Sequence, residues 1–363
     1  MGRVERAARV RERMATLGVE ALLLSLGADL PWLTGYEAMP LERLTMLVLP
    51  ADGDATLVVP LLEAPRVEVD DAVFRLRPWG ETEDPIEVVA GLVGSRASLA
   101  VSDRTWATFV LQLQASLPAA SWHAASVATG PLRAVKDAEE VAALRRAGSA
   151  ADRVAAALVA GEVPMVGRTE ADVAADLHAR LRAVGHDKVN FVIVGSGPHS
   201  ASPHHEPGSR VIGEGEAVVC DFGGTVDGYC SDTTRTVFTG DPPPEFRDLY
   251  AAVQRAQALA VDAAVVGTPC EDVDAVARRV IEEAGYGPRF VHRTGHGIGL
   301  EEHEDPYLVG GNCEALVAGH AFSIEPGVYM DGRWGARIED IVVATDAGPE
   351  PLNTVSHDLA VVA

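Results

Sequence analysis

The stretch DFGGTVDGYCSDTTRT, residues 221–236, carries an Asp-Gly pair between two runs rich in β-forming residues. Asp-Gly in this setting is a strong signal for a two-residue type I′ hairpin turn, because both central residues must adopt positive φ. A turn at Asp227-Gly228 pairs Val226 with Tyr229. The stretch therefore predicts a β-hairpin, although aspartate is a poor strand residue.

Two aspartates of this hairpin are predicted to share one face. Counting outward from the turn pairs Gly223 with Asp232, and side chains alternate faces along a strand. Asp221 and Asp232 then become diagonal neighbours about 7–8 Å apart at the backbone. Two carboxylates that close repel each other unless a cation lies between them. Taken alone, the hairpin fits a divalent metal and a pair of exposed aspartates equally well.

A second acidic pair occurs in HAFSIEPGVYMDGRWGARIEDIVVAT, residues 320–345, which also contains an Asp-Gly turn. Glu325 and Glu339 stand in apolar, β-rich surroundings where Val or Ile is usual. A strict two-residue turn at Asp331-Gly332 puts the two glutamates on opposite faces. They share a face only if the ladder slips by one residue, and Gly335 is the predicted position of that β-bulge.

An imidazole completes the set. His296 lies in HRTGHGIGLEEHEDP, residues 292–306, between two glycines that leave room for close approach of a metal. Four carboxylates and one imidazole suit a two-metal hydrolytic site with Mn²⁺, Co²⁺ or Zn²⁺ better than a Cys-rich structural zinc site. The predicted ligands are Asp221, Asp232, His296, Glu325 and Glu339.

The rest of the chain indicates two domains. In the first third, helical and β patterns alternate, which predicts a mixed α/β domain. Asp137 and Glu140 then form a capping-box signature before a long Ala-rich helix. We expect the boundary just before this helix, which gives domains 1–133 and 134–363. From there the order helix, helix, strand, hairpin occurs twice, which predicts a pseudo-symmetric domain.

Composition narrows the classes of partner. The 363 residues include 30 Lys and Arg against 53 Asp and Glu, a net charge of −23, which argues against nucleic acid and membrane surfaces as partners. The amphipathic N-terminus lacks the apolar core of a secretory signal, and no apolar run is long enough to span a bilayer. The four cysteines form no C-x-x-C pair and are expected to be free thiols. These features predict a cytoplasmic protein.

The five ordered ligands, with YCSDTTRT, HRTGHGIGLEEHEDP, SIEPGVY and RIED, resemble the motifs of the M24 "pita-bread" metallopeptidases, which include methionine aminopeptidase, aminopeptidase P and prolidase. The resemblance is to the proline-specific branch, and LPWLTGY at 30–36 resembles its N-terminal domain. It implies an α+β protein with a creatinase/prolidase-type mixed α/β N-terminal domain followed by a pita-bread catalytic domain. It also implies two divalent metal ions per subunit, Mn²⁺ before Co²⁺ or Zn²⁺.

The same resemblance implies roles for individual residues. Asp232 and Glu339 bridge the two metals, Asp221 completes one coordination sphere, and His296 and Glu325 complete the other. Glu325 also carries the proton from the attacking water to the leaving nitrogen.

His204, in SPHHEP, and His303 resemble the histidines that donate to the scissile carbonyl or the tetrahedral oxyanion. For His204, a surface-loop histidine is the alternative, since His199 and His205 lie nearby. Arg337 shares a strand face with Glu339. It is expected to orient the carboxylates, to meet a substrate carboxylate, or to be a plain exposed arginine. Tyr229 either lines the pocket or caps the hairpin, and Cys230 is expected to be a buried, inert thiol.

The implied activity is hydrolysis of the Xaa-Pro bond at peptide N-termini by a homodimer. The enzyme would be a dipeptidase (prolidase) or an aminopeptidase P, and its partner a small peptide with proline at the second position. Three alternatives remain open: a metal-free, creatinase-like hydrolase of a small C–N compound, a metal-dependent relative with a non-peptide substrate, and an inactive binding module.

Overall fold

The computed structural model describes residues 1–363 and contains two compact units, Met1–Arg133 and Ala134–Ala363. None of its helices combines the length and the apolar character that crossing a membrane requires. Each unit has its own hydrophobic core.

The first unit is built on a mixed six-stranded sheet with strand order β4-β3-β2-β1-β5-β6. Its strands are β1 (Ala21–Leu24), β2 (Met46–Pro50), β3 (Thr56–Pro60), β4 (Arg75–Trp79), β5 (Ser98–Val101) and β6 (Ser121–Ala124). The helices are α1 (Arg3–Leu17), α2 (Asp29–Thr34), α3 (Pro85–Val93), α4 (Ala107–Ser116) and α5 (Ser126–Ala134). Strands β2 and β3 form an antiparallel hairpin around Asp52-Gly53, with Met46 opposite Val58.

Four helices of the second unit come in two pairs, as the repeated pattern predicts. They are α6 (Ala138–Val159), α7 (Glu170–Ala183), α8 (Pro244–Ala263) and α9 (Cys270–Glu283). Helix α6 begins at the predicted capping box. The Asp137 carboxylate accepts from the backbone of Glu140 at 2.9 Å, and the Glu140 carboxylate accepts from the backbone of Asp137 at 2.9 Å.

The strands of this unit form two main sheets and one short hairpin. The first sheet has the order β17-β9-β8-β7, the second β11-β10-β12-β15-β16, and β13 pairs with β14. The bounds are β7 (Lys188–Ser196), β8 (Ala217–Val226), β9 (Tyr229–Thr239), β10 (Gly295–Gly297), β11 (Glu304–Leu308), β12 (Ala321–Ile324), β13 (Gly327–Met330), β14 (Trp334–Arg337), β15 (Asp340–Thr345), β16 (Gly348–Pro351) and β17 (Ala360–Val362).

Each pair of helices covers one face of a sheet. Helices α6 and α7 pack on β7–β9, and α8 and α9 pack on the second sheet, both through apolar side chains. Strand alternation places Phe222 in the first of these cores, and its neighbour Asp221 therefore points to the opposite face. The sheet faces that the helices leave uncovered therefore carry the acidic residues.

The first acidic hairpin has the predicted register. Val226 pairs with Tyr229 and Gly223 with Asp232 across β8 and β9. Asp227 and Gly228 have φ values of 51° and 80°, as a type I′ turn requires. The prediction that Asp221 and Asp232 share a face is confirmed by this register.

In the second hairpin, the one-residue shift that brings Glu325 and Glu339 to the same face does not arise where it was predicted. Met330 pairs with Trp334, so the turn has three residues, Asp331–Arg333, and supplies the extra residue itself. The predicted bulge at Gly335 is wrong. That glycine lies in an unbroken ladder, and its lack of a side chain is explained by the loop beside it, because a Cβ there would lie 2.2 Å from the Ser200 carbonyl oxygen. The ladder that pairs Ile324 with Asp340, extended by one residue, places Glu325 opposite Glu339.

The two acidic hairpins meet along β9. The Glu339 N–H donates to the Thr234 carbonyl at 3.2 Å, and on the far side Arg235 forms a buried ion pair with Asp340 at 2.8 Å. These contacts bring the second acidic pair onto the same side as the first.

Candidate metal centre

A cavity of about 440 Å³ lies on the acidic side of the sheets. All five predicted ligand residues line it, together with His204, His303 and Arg337. The remaining lining residues are Phe191, Ile193, Pro203, His292, Arg293 and Glu302. The fold therefore brings together residues that are spread over more than a hundred positions of the sequence.

The predicted ligand atoms converge in the floor of this cavity. One side-chain ligand atom each of Asp232, His296 and Glu339 lies within 4.8 Å of the other two. The His296 Nε2 is 3.7 Å from Asp232 Oδ2 and 3.4 Å from Glu325 Oε1. All but Glu325, which is partly buried, are fully buried residues.

His296 is presented with a defined nitrogen. Its Nδ1 lies 3.1 Å from the Gly297 carbonyl, to which it can donate, and this leaves Nε2 as an unprotonated acceptor facing the carboxylates. Burial, and then the neighbouring His303, lower the pKa of His296 to about 3, so the ring is neutral at physiological pH. A neutral imidazole is the form that binds metals.

The glycines beside His296 have a structural explanation that the sequence did not reveal. A Cβ on Gly295 would lie 1.8 Å from the Ser323 carbonyl oxygen, and one on Gly297 would lie 2.2 Å from the Asp305 carbonyl oxygen. The expectation that these glycines leave room for a metal is therefore corrected. They allow the backbones of β12 and β11 to approach β10.

Burial and mutual repulsion disfavour the ionised form of the carboxylates in the cluster. Burial, and then Glu339 and the other carboxylates, raise the pKa of Asp232 well above its usual range. Burial, and then Glu325 and Asp221, do the same to Glu339. Burial raises the pKa of Glu325 to about 7, with Arg337 acting in the opposite direction. Holding these groups ionised together requires additional positive charge.

The donor set fits divalent metal ions. Two buried carboxylate oxygens, Asp221 Oδ1 and Asp232 Oδ1, have no hydrogen-bond partner in the chain. Arg337 is the cation that contacts the cluster, and it binds the other oxygen of Asp221. Oxygen-rich sites with one imidazole suit Mn²⁺, Co²⁺ or Zn²⁺.

Arg337 is buried and held by several groups. Its Nη2 donates to Asp221 Oδ2 at 2.5 Å, its Nε donates to Thr234 Oγ1 at 3.0 Å, and its Nη1 donates to the Tyr329 hydroxyl at 2.8 Å. The sequence allows three roles for Arg337, and its burial excludes that of a plain exposed arginine. The side chain fixes Asp221 beside the cluster.

His204 and His303 lie at the open side of the cavity. The ring of His303 is 4.1 Å from that of His296, between centroids. Loss of hydration, and then the charges of Arg293 and His204, lower the pKa of His303. Both histidines are solvent-accessible enough to meet a substrate.

The loop that carries His204 is anchored beneath by Glu170, the first residue of α7. This fully buried carboxylate accepts from the Ser196 hydroxyl at 2.7 Å and contacts His199 Nδ1 at 3.1 Å and His205 Nε2 at 2.8 Å. Although His, His and Glu could form a metal site, these bonds already satisfy the carboxylate. We assign the cluster to holding the loop.

Sequence reasoning missed two polar residues beside the ligands. The Tyr329 hydroxyl lies 2.9 Å from His292 Nε2, and burial, followed by the charge of Arg337, lowers the pKa of His292 to about 4. The available signals were the spacing of His292 four residues before His296 and the tyrosine of SIEPGVY.

Tyr229 and Cys230 do not line the cavity of the metal centre. Tyr229 is three residues from Asp232, so strand alternation turns it away from the cavity, and its hydroxyl donates to Glu140 at 2.9 Å. The suggestion that Tyr229 lines the pocket is therefore wrong. Cys230 is buried, burial raises the pKa of its thiol, and all four cysteines are free.

Comparison with known proteins places the chain among peptidases. Residues 142–346 match metallopeptidase family M24, and residues 6–135 match the creatinase/prolidase N-terminal domain. A relative described as probable dipeptidase PepE of Mycobacterium bovis is 47% identical over 353 residues, which cover 96% of this chain and 93% of the relative.

Solved structures agree with this assignment. The dipeptidase PepE of Mycobacterium ulcerans superposes with a TM-score of 0.92 at 48% identity, covering 99% of this chain and 97% of that one. A recombinant prolidase from Thermococcus sibiricus gives a TM-score of 0.94 at 34% identity, with both chains fully covered. The expected fold, a creatinase/prolidase N-terminal domain followed by a pita-bread domain, is confirmed, and the chain belongs to metallopeptidase family M24.

Proposed function

We propose that this protein hydrolyses the Xaa-Pro bond of dipeptides with the help of two divalent metal ions, Mn²⁺ before Co²⁺ or Zn²⁺. The observation that carries the proposal is the convergence of four carboxylates and a neutral imidazole in one cavity, with two buried carboxylate oxygens lacking a partner. The ligands would be Asp221, Asp232, His296, Glu325 and Glu339. Bound metals supply a water nucleophile at neutral pH and Lewis-acid polarisation of the carbonyl.

Protein groups around the ligands supply the other parts of the chemistry. His204 and His303 donate hydrogen bonds to the scissile carbonyl as it becomes an oxyanion. Glu325, whose Oε1 lies 3.4 Å from His296 Nε2, takes a proton from the nucleophilic water and passes it to the leaving nitrogen. Arg337 keeps Asp221 in place through its 2.5 Å contact.

Two considerations support proline after the scissile bond. The similar structure from Thermococcus sibiricus is described as a prolidase. The Xaa-Pro nitrogen carries no hydrogen, so a site for this bond must hold the substrate by the carbonyl and the two ends rather than by an amide N–H. The cavity offers donors for a carbonyl in His204 and His303 and charged groups at its walls.

A cation for the substrate carboxylate supports dipeptides over longer peptides. Burying a carboxylate without a partner is costly, so a dipeptidase needs such a cation. Arg337 is committed to Asp221, but the Arg293 guanidinium also lines the cavity, stacked 4.4 Å from the centre of the Tyr307 ring, and forms no ion pair in the chain. We assign Arg293 to the carboxylate of the proline.

The proposal includes a cytoplasmic homodimer. Four free thiols suit a reducing compartment. Exposed apolar side chains of the first unit, Met39, Leu41, Leu61 and Leu62, offer a surface for a second copy.

A substrate panel on the Mn²⁺-loaded protein tests the function. We expect kcat/KM for an Xaa-Pro dipeptide to exceed that for the matching Xaa-Pro-Xaa tripeptide and for an Xaa-Ala dipeptide. A tripeptide value equal to or above the dipeptide value would replace the dipeptidase by an aminopeptidase P. Hydrolysis of creatine without any peptide turnover would favour the creatinase-like alternative, and metal analysis of the purified protein separates it further.

A further inference from the structure

The charged groups of the cavity differ in whether the chain provides them with a partner. Asp221 is paired with Arg337, Glu339 accepts from Thr234 at 2.6 Å, and Glu325 accepts from Ser323 at 3.1 Å. The carboxylate of Glu302 has no hydrogen bond or ion pair within the chain, although the residue is partly buried and lines the cavity.

Glu302 nevertheless lies in a segment that is held beside the metal centre. Its neighbours are Glu301, whose carbonyl accepts from the Gly299 N–H at 3.0 Å, and His303. The side chain lines the same cavity as the predicted ligands. A carboxylate without a partner in the chain is available to pair with a cationic ligand.

The two unpaired charges of the cavity, Arg293 and Glu302, both line it but form no ion pair with each other. If Arg293 receives the carboxylate of the proline, as proposed above, Glu302 is left for a charge on the first residue of the dipeptide.

The cavity as a whole has the character of a site for a long cationic side chain. Phe191 and Ile193, on β7 next to the acidic strand β8, add apolar surface to the same cavity. Lysine and arginine bury an apolar stem while a charged group at the end reaches a polar partner. An apolar lining and one unpaired carboxylate in the same cavity match that chemistry.

We propose, on the basis of the proposed function, that Glu302 selects dipeptides whose first residue is cationic, so that Lys-Pro and Arg-Pro are the preferred substrate class. The carboxylate pairs with the side-chain cation of the first residue.

The test compares Lys-Pro with norleucine-Pro, which has an uncharged side chain of similar length, on the Mn²⁺-loaded protein. We expect kcat/KM for Lys-Pro to exceed that for norleucine-Pro by about fivefold or more, as an ion pair at the upper end of the range for accessible pairs would give. In Glu302→Gln this ratio falls to about one. In Glu302→Lys the preference reverses towards Glu-Pro. Glu301→Gln, a neighbouring carboxylate outside the cavity lining, keeps the wild-type ratio.

Two results overturn the proposal. One is a wild-type ratio near one. The other is an equal loss for both dipeptides in Glu302→Gln, which would assign Glu302 to the α-ammonium group common to both. Calorimetric binding of the same two dipeptides separates this proposal from the function on which it rests. Charge-selective binding that depends on Glu302, without hydrolysis, contradicts the proposed function alone, and equal binding of both dipeptides by wild type and Glu302→Gln contradicts the role of Glu302.

Discussion

Arg337 donates to Asp221 across 2.5 Å in the buried floor of the cavity, joining β14 to β8. The arginine binds Oδ2 of the aspartate, whereas Oδ1 has no hydrogen-bond partner in the chain. The arginine thus orients the carboxylate, while the unpartnered oxygen is the one left for a metal.

Replacing Arg337 with methionine should destabilise the metal-free protein by about 3–5 kcal/mol, because a buried carboxylate loses its partner. The same change should lower kcat on the Mn²⁺-loaded protein. Urea unfolding in the presence of a chelator measures the first effect. Arg333→Met, at an exposed pair with Glu245, should change stability by less than about 1 kcal/mol. Equal effects of the two variants would contradict the buried role.

The substitution Asp232→Ala should abolish hydrolysis and reduce the bound metal, because the carboxylate lies among the converging ligand atoms. Metal analysis by mass spectrometry after dialysis measures the stoichiometry. Asp241→Ala, at an exposed aspartate, serves as the control. Wild-type metal content in Asp232→Ala would remove this residue from the ligand set.

The substitution His303→Ala should keep the metals and lower kcat by roughly 10²–10³-fold, the usual cost of one oxyanion donor. Steady-state kinetics and metal analysis of the same preparation separate the two effects. His178→Ala, at an exposed histidine of α7, should behave like wild type. An unchanged kcat in His303→Ala would assign this histidine to structure.

The substitution Glu170→Gln should loosen the loop that carries His204, because the buried carboxylate holds Ser196, His199 and His205. We expect a stability loss of about 1–3 kcal/mol and faster amide exchange across residues 197–208. Hydrogen exchange followed by mass spectrometry reports on the loop directly. Glu206→Gln, at an exposed position, is the control, and an unchanged exchange rate in Glu170→Gln would contradict the anchoring role.

Acidification should destabilise the protein through His320. Burial, and then the charge of Lys136, lower the pKa of this histidine from 6.5 to about 4. Between these values the unfolded state binds more protons, so the free energy of unfolding falls as the pH drops from 6.5 to 4, by roughly 3 kcal/mol from this group. His320→Asn should flatten that dependence in chemical unfolding at several pH values, whereas His123→Asn, at an exposed site, should not.

Features encoded by neighbouring residues could be predicted from the sequence. The register of the first acidic hairpin follows from the Asp227-Gly228 turn, because a two-residue turn sets every pair along the strands. The capping box before α6 is likewise local, since its two groups are only three residues apart. The proposed ligand set could be named because its residues stand out as acidic groups in β-rich stretches.

Tertiary structure alone decided what depends on contacts between distant segments. The three-residue turn that aligns Glu325 with Glu339 leaves Gly335 in register, and the need for that glycine comes from the Ser200 backbone, 135 residues away. The commitment of Arg337 to Asp221, which leaves Arg293 as the unpaired cation of the cavity, also joins strands far apart in sequence. A sequence pattern specifies residue types and local spacing, whereas the partner of a buried charge is chosen by packing, because only the folded chain determines which groups lose water together.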